Sequence, residues 1–146
     1  MTKRERIETA KTWHEKGMNC TQSILLACRD LTGLSDEQSV AIASGFGGGM
    51  RCGSICGGIS GVMMVLGMQY PAVDAASRQF HHKIVKEFQH RFQEQFGYLN
   101  CRELLAEKEL HGTPIAEEVC CGNHCRLMIC TAVEILSDYL DELKKE

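Results

Sequence analysis

Residues 51–68 read RCGSICGGISGVMMVLGM, and the longest apolar segment of the chain runs from Ile55 to Met68. Its apolar residues fall on most sides of an α-helix, a pattern typical of a helix buried in a core. Its glycines remove side chains at points where a second helix can come close. We therefore predict that residues 56–68 form the central helix of a helical bundle.

Helical signals continue on both sides of this segment. The clearest is an apolar stripe that predicts a long, core-facing helix after Pro71, closed by Gly97. Its members recur every fourth residue: Phe80, Ile84, Phe88, Phe92 and Phe96. The other predicted helices are residues 3–16, 20–32, 35 to the glycines at 45–49, 101–109 and 125–143, with an irregular stretch across residues 112–124.

These patterns predict an all-α fold. We expect residues 1–146 to form a single-domain bundle of about six to seven helices around a central helix rich in glycine and methionine. Because the net charge is −3 and no basic cluster is present, nucleic-acid binding is not expected. The longest apolar segment is shorter than the roughly 20 residues that span a bilayer. The charged N-terminus lacks the pattern of a secretory signal, so a cytoplasmic protein is predicted.

Cysteine is the most informative residue type. The chain has nine cysteines, and their odd number argues against a scaffold in which every cysteine is paired. No Cys-x-x-Cys occurs, which excludes a thioredoxin-type motif, a zinc-ribbon knuckle and the covalent haem motif. Reduced cysteines at this density favour metal or redox chemistry, with ligands that the fold must collect from distant segments.

Four cysteines fall in the first turns of predicted helices. Cys20 and Cys101 each follow an asparagine that is placed to cap the helix, with Gln or Glu three residues after the cap. Cys56 opens the central helix, and Cys125 opens the last one. Unpaired backbone amides and the helix dipole stabilise a thiolate there, so we expect lowered pKa values at one shared site.

Two further cysteines are predicted to have only a packing role. Cys28 lies well inside an apolar helix and Cys130 lies inside the last helix, where cysteine behaves as a small hydrophobic residue. The glycines at 45–49 are followed by no Lys-Ser or Lys-Thr and preceded by no strand, so they do not indicate a phosphate-binding loop. We expect them to form a turn that lets the backbone approach the cysteine site.

The segment FGGGMRCGSICGGISGVMMVLG at residues 46–67, with NCTQSILLA before it and NCREL and a late cysteine after it, resembles the C_GCAxxG_C_C family of redox-active proteins. The resemblance runs from Asn19 to the C-terminal helix. It places the four characteristic cysteines of the family at Cys20, Cys56, Cys101 and Cys125. Gly58 stands where the family pattern has alanine, and Ile55 stands where it has a glycine before the cysteine.

This resemblance implies an intracellular, mostly helical redox protein. Relatives of the segment occur in split-Soret cytochromes, where an iron–sulfur centre is associated with it. Since the present chain has no haem motif, the resemblance implies only the non-haem part of that chemistry and no haem.

Three functions stay open at this point. The first is an electron-transfer or redox-sensing protein with an iron–sulfur cluster on four thiolates. The second is a thiol–disulfide oxidoreductase or sensor that uses Cys56 and Cys125, with Cys52 and Cys121 as resolving partners in two Cys-x-x-x-Cys pairs. The third is a structural zinc protein, in which His124 is a conceivable ligand beside the cysteines.

The ligand set and the partners also stay open. In the cluster and zinc hypotheses, Cys52, Cys56, Cys121 and Cys125 form an alternative set of four ligands, and Cys52 and Cys121 could also join the first set. Whether the chain is an oxidoreductase or an electron carrier is not decided by the motifs. A redox partner protein is expected, and the glycines of the central helix make a homodimer a further expectation.

Overall fold

The computed structural model describes residues 1–120 and 122–146, and within them the chain is entirely helical apart from turns and loops. The all-α, single-domain prediction is confirmed. Cys121 lies outside the described residues. The helices are α1 Lys3–Glu15, α2 Cys20–Ala27, α3 Arg29–Thr32, α4 Asp36–Ala43, α5 Gly57–Gln69, α6 Ala75–Phe96, α7 Cys101–Ala106, α8 Pro114–Val119 and α9 His124–Lys144.

Local caps explain where several helices begin. In a capping box, the cap side chain accepts from the backbone of the third helical residue, whose own side chain returns to the cap backbone. The predicted boxes form at Asn19 before α2 and at Ser35 before α4. Thr2 and Asp74 form the same arrangement before α1 and α6.

Helix α5 lies at the centre of the bundle, as predicted. It packs against α2, α3, α6 and α9, and most of its length is buried. The apolar core continues from α5 onto α1, α2, α6 and α9, and its two largest fully buried side chains are Phe88 and Phe92 of α6. Burial of a nearly all-apolar helix from several sides is what its sequence requires, since no polar face is available to meet water.

The aromatic stripe of α6 is only partly buried. Ile84, Phe88, Phe92 and Phe96 lie in the core, but Phe80 is 37% exposed, so its predicted core position is wrong. Phe80 lies at the edge of an open surface groove that it lines together with Tyr139 and Leu143 of α9. Phe80 instead packs edge-on against Tyr70, with 5.4 Å between the ring centroids.

Two differences from the predicted helices have clear causes. The helix predicted over residues 20–32 is divided at Cys28, whose φ of −107° and ψ of 26° end α2 and begin α3. The stretch predicted to be irregular contains α8. Its backbone is anchored by the buried carboxylate of Glu134, which accepts from the Ala116 amide at 2.9 Å. A cap supplied from another helix leaves no local pattern in the sequence.

None of the described helices combines the length and apolarity that crossing a membrane requires.

Glycines let α5 approach α2 closely. A Cβ atom added at Gly57 would lie 2.8 Å from the Cys20 Cβ, and one added at Gly61 would lie 2.7 Å from the Ile24 Cβ. Separations under 3.0 Å are not tolerated in folded proteins, so both positions require glycine. These glycines therefore serve contacts within the chain.

Substitution of α5 glycines tests this packing. We expect Gly61→Ala to lower the free energy of unfolding by about 1–3 kcal/mol, because the new methyl group overlaps Ile24. The matched control is Gly58→Ala, whose Cβ would make ordinary contacts at 3.6 Å from Ala132 and 3.7 Å from the Cys56 sulfur. It should be neutral or stabilise by about 0.5–1 kcal/mol, since alanine favours helix over the unfolded chain.

Urea unfolding followed by circular dichroism measures both values. Equal effects of the two substitutions would contradict the close approach of α5 to α2.

Candidate functional site

Cys20 is the first residue of α2 and is held by an elaborate cap. The Asn19 side-chain oxygen accepts from the Gln22 amide at 2.8 Å, and the Gln22 side-chain oxygen accepts from the Asn19 amide at 2.9 Å. The Asn19 side-chain nitrogen also donates to the carbonyls of Ala43 and Ser44, each at 3.2 Å. These bonds fix the start of α2 against the end of α4, and they fix the Cys20 backbone with it.

Cys56 and Cys101 are joined through their backbones. Ile55 and Asn100 form an isolated antiparallel bridge. The Cys56 amide donates to the Leu99 carbonyl at 2.8 Å, and the Cys101 amide donates to the Ser54 carbonyl at 2.7 Å. This bridge places the start of α7 beside the start of α5, so two cysteines that are distant in sequence become neighbours.

The start of α7 departs from the predicted cap. Asn100 occupies the cap position, but its side chain accepts no bond from the helix and instead donates to the Glu103 carboxylate at 3.0 Å. The predicted capping box is therefore wrong here. The physical reason is that the bridge to Ile55 fixes the Asn100 backbone, and the Cys101 amide is already satisfied by Ser54.

Cys125 lies in the first turn of α9, as predicted. The Asn123 side-chain oxygen caps this helix by accepting from the Arg126 amide at 3.0 Å. The ring of His124 bonds through Nε2 to the Glu107 carbonyl at 2.8 Å, which ties the helix start to the segment after α7.

A left-handed turn leads into the site. Gly48, Gly49, Met50 and Arg51 all have φ values between 58° and 63°, and a Cβ added at Gly49 would lie 2.9 Å from the Cys101 Cβ. The glycine-rich segment thus brings backbone against a site cysteine, as predicted. The left-handed conformation costs a residue with a side chain about 1–2 kcal/mol. The backbone of the turn is therefore strained at both Met50 and Arg51.

The four helix starts meet at one end of the bundle. Electrostatic interactions link Cys20 with Cys56 and Cys125, and link Cys101 with Cys56 and Cys125. Cys56 is 2% exposed and Cys101 is 6% exposed, whereas Cys20 and Cys125 are half-buried. The fold therefore collects all four cysteines that the sequence singled out, and leaves each as a free thiol.

Cys20 and Cys125 form an interacting thiol pair whose pKa values are shifted in opposite directions. The pKa of Cys125 is lowered to about 6 because the Cys20 thiol donates to its sulfur, with His124 adding a favourable interaction. The same bond, together with burial, raises the pKa of Cys20 above its ordinary value. The proton is thus held on Cys20 and the negative charge is held on Cys125.

Burial outweighs the helix dipole at the other two cysteines. Loss of solvent raises the pKa of Cys56 to about 11, although the backbone amides of Gly58 and Ile59 act in the opposite direction. Burial, followed by the negative charge of Cys125, raises the pKa of Cys101 as well. The expectation of lowered pKa values is confirmed for Cys125 and is wrong for Cys20, Cys56 and Cys101.

The remaining described cysteines have other partners. Cys52 is exposed, and its thiol donates to the Gly49 carbonyl at 3.4 Å. Cys28 is fully buried in the core as predicted, and burial raises its pKa to about 12. Cys130 is also buried, but it forms a disulfide with Cys120 that the sequence did not predict. This bond connects the end of α8 with α9.

No group of three or more His, Cys, Asp or Glu residues in the described part of the chain is arranged to hold a single metal ion. His124 directs its Nε2 to the Glu107 carbonyl and does not complete a set of ligands with the cysteines. The alternative ligand set that includes Cys121 lies partly outside the described residues. The thiols at the helix starts are therefore neighbours without forming a compact tetrahedral site.

Comparison with known proteins gives one informative result. A family model described as "Putative redox-active protein (C_GCAxxG_C_C)" matches residues 18–139 of the 146. The matched region includes Cys20, Cys56, Cys101 and Cys125 and extends from the cap of α2 into α9. No curated protein and no solved structure matches the chain.

The charge on Cys125 can be tested in metal-free, reduced protein. We expect its alkylation by iodoacetamide to rise with pH through a midpoint near 6, because only the thiolate reacts and the thiol form predominates below that pH. In Cys20→Ala the midpoint should move toward the ordinary value of 9.0, since the stabilising donor is removed. Peptide mass spectrometry assigns the reaction to Cys125. An unchanged midpoint in Cys20→Ala would contradict the thiol pair.

Proposed function

This chain belongs to the C_GCAxxG_C_C family of redox-active proteins, and we propose that its redox centre is an iron–sulfur cluster held by Cys20, Cys56, Cys101 and Cys125. One observation carries the proposal. Four cysteines from four separate segments meet at one end of the bundle, each at the start of a helix.

The donor set suits such a cluster. Four cysteine thiolates are the usual ligands of [2Fe–2S] and [4Fe–4S] clusters, and here four free thiols are present without a competing disulfide among them. Cys56 and Cys101 are shielded from water, which protects a cluster from hydrolysis and oxygen. The backbone amide of Gly48 acts on the Cys20 sulfur, and those of Gly58 and Ile59 act on the Cys56 sulfur. Such donors stabilise negative charge on ligand sulfurs.

The raised pKa values are consistent with cation binding. A buried thiolate is unfavourable without a positive partner, as Cys56 and Cys101 show in the metal-free chain. Iron would supply that partner, and the four thiols would release their protons on becoming its ligands. We therefore expect cluster binding to stabilise the fold at this end of the bundle.

The lack of a compact ligand group among the described residues supports a cluster over structural zinc. Four thiolates around one zinc ion must each approach to about 2.3 Å from it, which brings the sulfurs into a compact tetrahedron. The described residues contain no such compact group. A cluster of bridged irons separates its terminal sulfurs farther, and this suits thiols that are neighbours across several helix starts. When bound, the cluster supplies one-electron transfer, while the chain supplies ligands, amide donors and shielding.

Anaerobic purification tests the ligand set. Wild-type protein should be brown and contain equal amounts of iron and acid-labile sulfide, and serine at any of Cys20, Cys56, Cys101 or Cys125 should lower the bound iron by about half or more. Cys52→Ser and Cys28→Ala are the controls and should retain it, since neither side chain belongs to the group. Circular dichroism verifies that each variant is folded.

Two other results would contradict the ligand set Cys20, Cys56, Cys101 and Cys125. Retention of iron in Cys20→Ser and Cys101→Ser, with loss in Cys52→Ser, would identify the alternative set that contains Cys52 and Cys121. Stoichiometric zinc without sulfide would support the structural zinc function instead.

The Cys20–Cys125 pair favours a second candidate, thiol–disulfide exchange. The Cys125 thiolate attacks a disulfide of the substrate, forms a mixed disulfide and expels one substrate thiolate. The Cys20 thiol loses its proton, and its sulfur then attacks Cys125 and expels the second substrate thiolate. The products are a Cys20–Cys125 disulfide and a reduced substrate, so two electrons pass to the substrate.

Oxidised glutathione tests this candidate on metal-free protein. We expect wild-type protein to form a Cys20–Cys125 disulfide, Cys20→Ser to retain a glutathione adduct on Cys125, and Cys125→Ser to stay unmodified at both positions. Peptide mass spectrometry distinguishes these products. Absence of an adduct on Cys125 in Cys20→Ser would exclude this pair as an exchange centre.

A further inference from the structure

A mixed apolar and basic surface covers the site. We use the name cap surface for the exposed side chains of Met50, Arg51, Ile55, Arg102 and Leu105. Met50 is 56% exposed and Leu105 is 49% exposed, which is unusual for large apolar side chains beside a buried centre. Apolar side chains that cluster within a polar rim mark protein–protein contact sites more often than ordinary surface.

Contacts join the left-handed turn to α7, the two segments that carry most of the cap surface. The Arg102 guanidinium donates through Nη2 to the Cys52 carbonyl at 3.0 Å and lies against Gly53. Ile55 pairs with Asn100, directly before α7. Leu105 follows Arg102 by three residues on α7, so both lie on the same side of that helix. The left-handed turn and α7 therefore lie side by side, next to Cys56 and Cys101.

The two arginines of this surface carry positive charge that the described residues do not neutralise. Neither Arg51 nor Arg102 forms an ion pair within the described part of the chain. In contrast, Arg4, Arg6 and Arg29 are each paired with a carboxylate. The Glu103 carboxylate next to Arg102 accepts from the Asn100 side chain and forms no ion pair with the guanidinium. The cap surface thus presents two arginine charges that no described carboxylate contacts.

The backbone conformation of the turn also indicates a functional surface. Met50 and Arg51 adopt left-handed backbone angles, yet their side chains are exposed and gain no burial in return. Uncompensated strain of this kind is concentrated at functional surfaces.

We propose that the cap surface is the docking site of a redox partner protein whose own contact area has carboxylates around an apolar centre. The proposal rests on the proposed function, because a partner bound here would lie directly against the cysteine centre. Contacts that transfer electrons between proteins are small and depend on complementary charge, which sets the rate of encounter.

A second copy of this chain fits the surface less well. A two-fold symmetric dimer places the same patch on both sides of the interface, so Arg51 and Arg102 would face their own counterparts. Like charges brought together in this way oppose association.

Binding to two electron carriers of opposite charge tests the proposal. The probes are a plant-type [2Fe–2S] ferredoxin, which is acidic, and cytochrome c, which is basic. We expect ferredoxin to bind more tightly, and the dissociation constant to rise about tenfold in Arg51→Glu combined with Arg102→Gln. Gln keeps a donor for the Cys52 carbonyl. Arg78→Glu is the control, because Arg78 is an exposed, unpaired arginine on α6 at the far end of α5.

Ionic strength provides an independent readout. The screening length falls from about 30 Å at 0.01 M salt to about 8 Å at 0.15 M, so binding should weaken in this range for wild-type protein and much less for the variant. Isothermal titration calorimetry measures both quantities.

The outcomes separate this proposal from the proposed function. Iron and sulfide are measured on each preparation, and the arginine variant should keep both. Three results would each overturn the docking site, whatever the iron content. They are tight ferredoxin binding that does not depend on Arg51 and Arg102, preference for cytochrome c, and a dimer that dissociates in the variant. Binding that follows the arginines in protein without iron would support the docking site and reject the cluster.

Discussion

The close approach of α5 to α2 is the constraint on which the site depends. Gly57 and Gly61 leave no side chain between the two helices, and a Cβ at either position would overlap α2. Because the contact begins at Gly57, it brings the first turn of α5 against the first turn of α2 and sets Cys56 beside Cys20. The bridge between Ile55 and Asn100 then adds Cys101. Packing and chemistry are thus two consequences of one glycine-rich segment.

Competition between burial and the helix dipole explains the electrostatics of the centre. A helix start favours a thiolate, but loss of water opposes it, and burial prevails at Cys56 and Cys101. Cys125 is less buried and receives a hydrogen bond from Cys20, so there the thiolate prevails. The metal-free site therefore holds one stabilised thiolate among neutral thiols. This uneven distribution of charge is suited either to exchange at Cys125 or to uptake of a cation that neutralises the buried thiolates.

Local signals in the sequence predicted the all-α fold and the four cysteines, whereas long-range contacts were not predictable. The cap at Asn19 forms because its partner is three residues away, within reach of a sequence pattern. The equivalent box at Asn100 does not form, because bonds from the Cys56 amide to Leu99 and from the Cys101 amide to Ser54 hold the backbone on either side of Asn100. Helix α8 went unpredicted since Glu134 anchors it from α9. Nothing in the residue type of Met50 indicates a left-handed turn, which the surrounding contacts impose.

The most direct test of a single cluster-binding centre is whether the four cysteines alone are enough to bind the cluster. Iron K-edge X-ray absorption would be measured on an anaerobically purified variant in which all other cysteines are replaced: Cys28→Ala, Cys52→Ser, Cys120→Ser, Cys121→Ser and Cys130→Ala. A first shell that contains only sulfur, with iron–iron scattering behind it, is the predicted result. Iron bound through nitrogen or oxygen, or a folded variant that binds no iron, would contradict it.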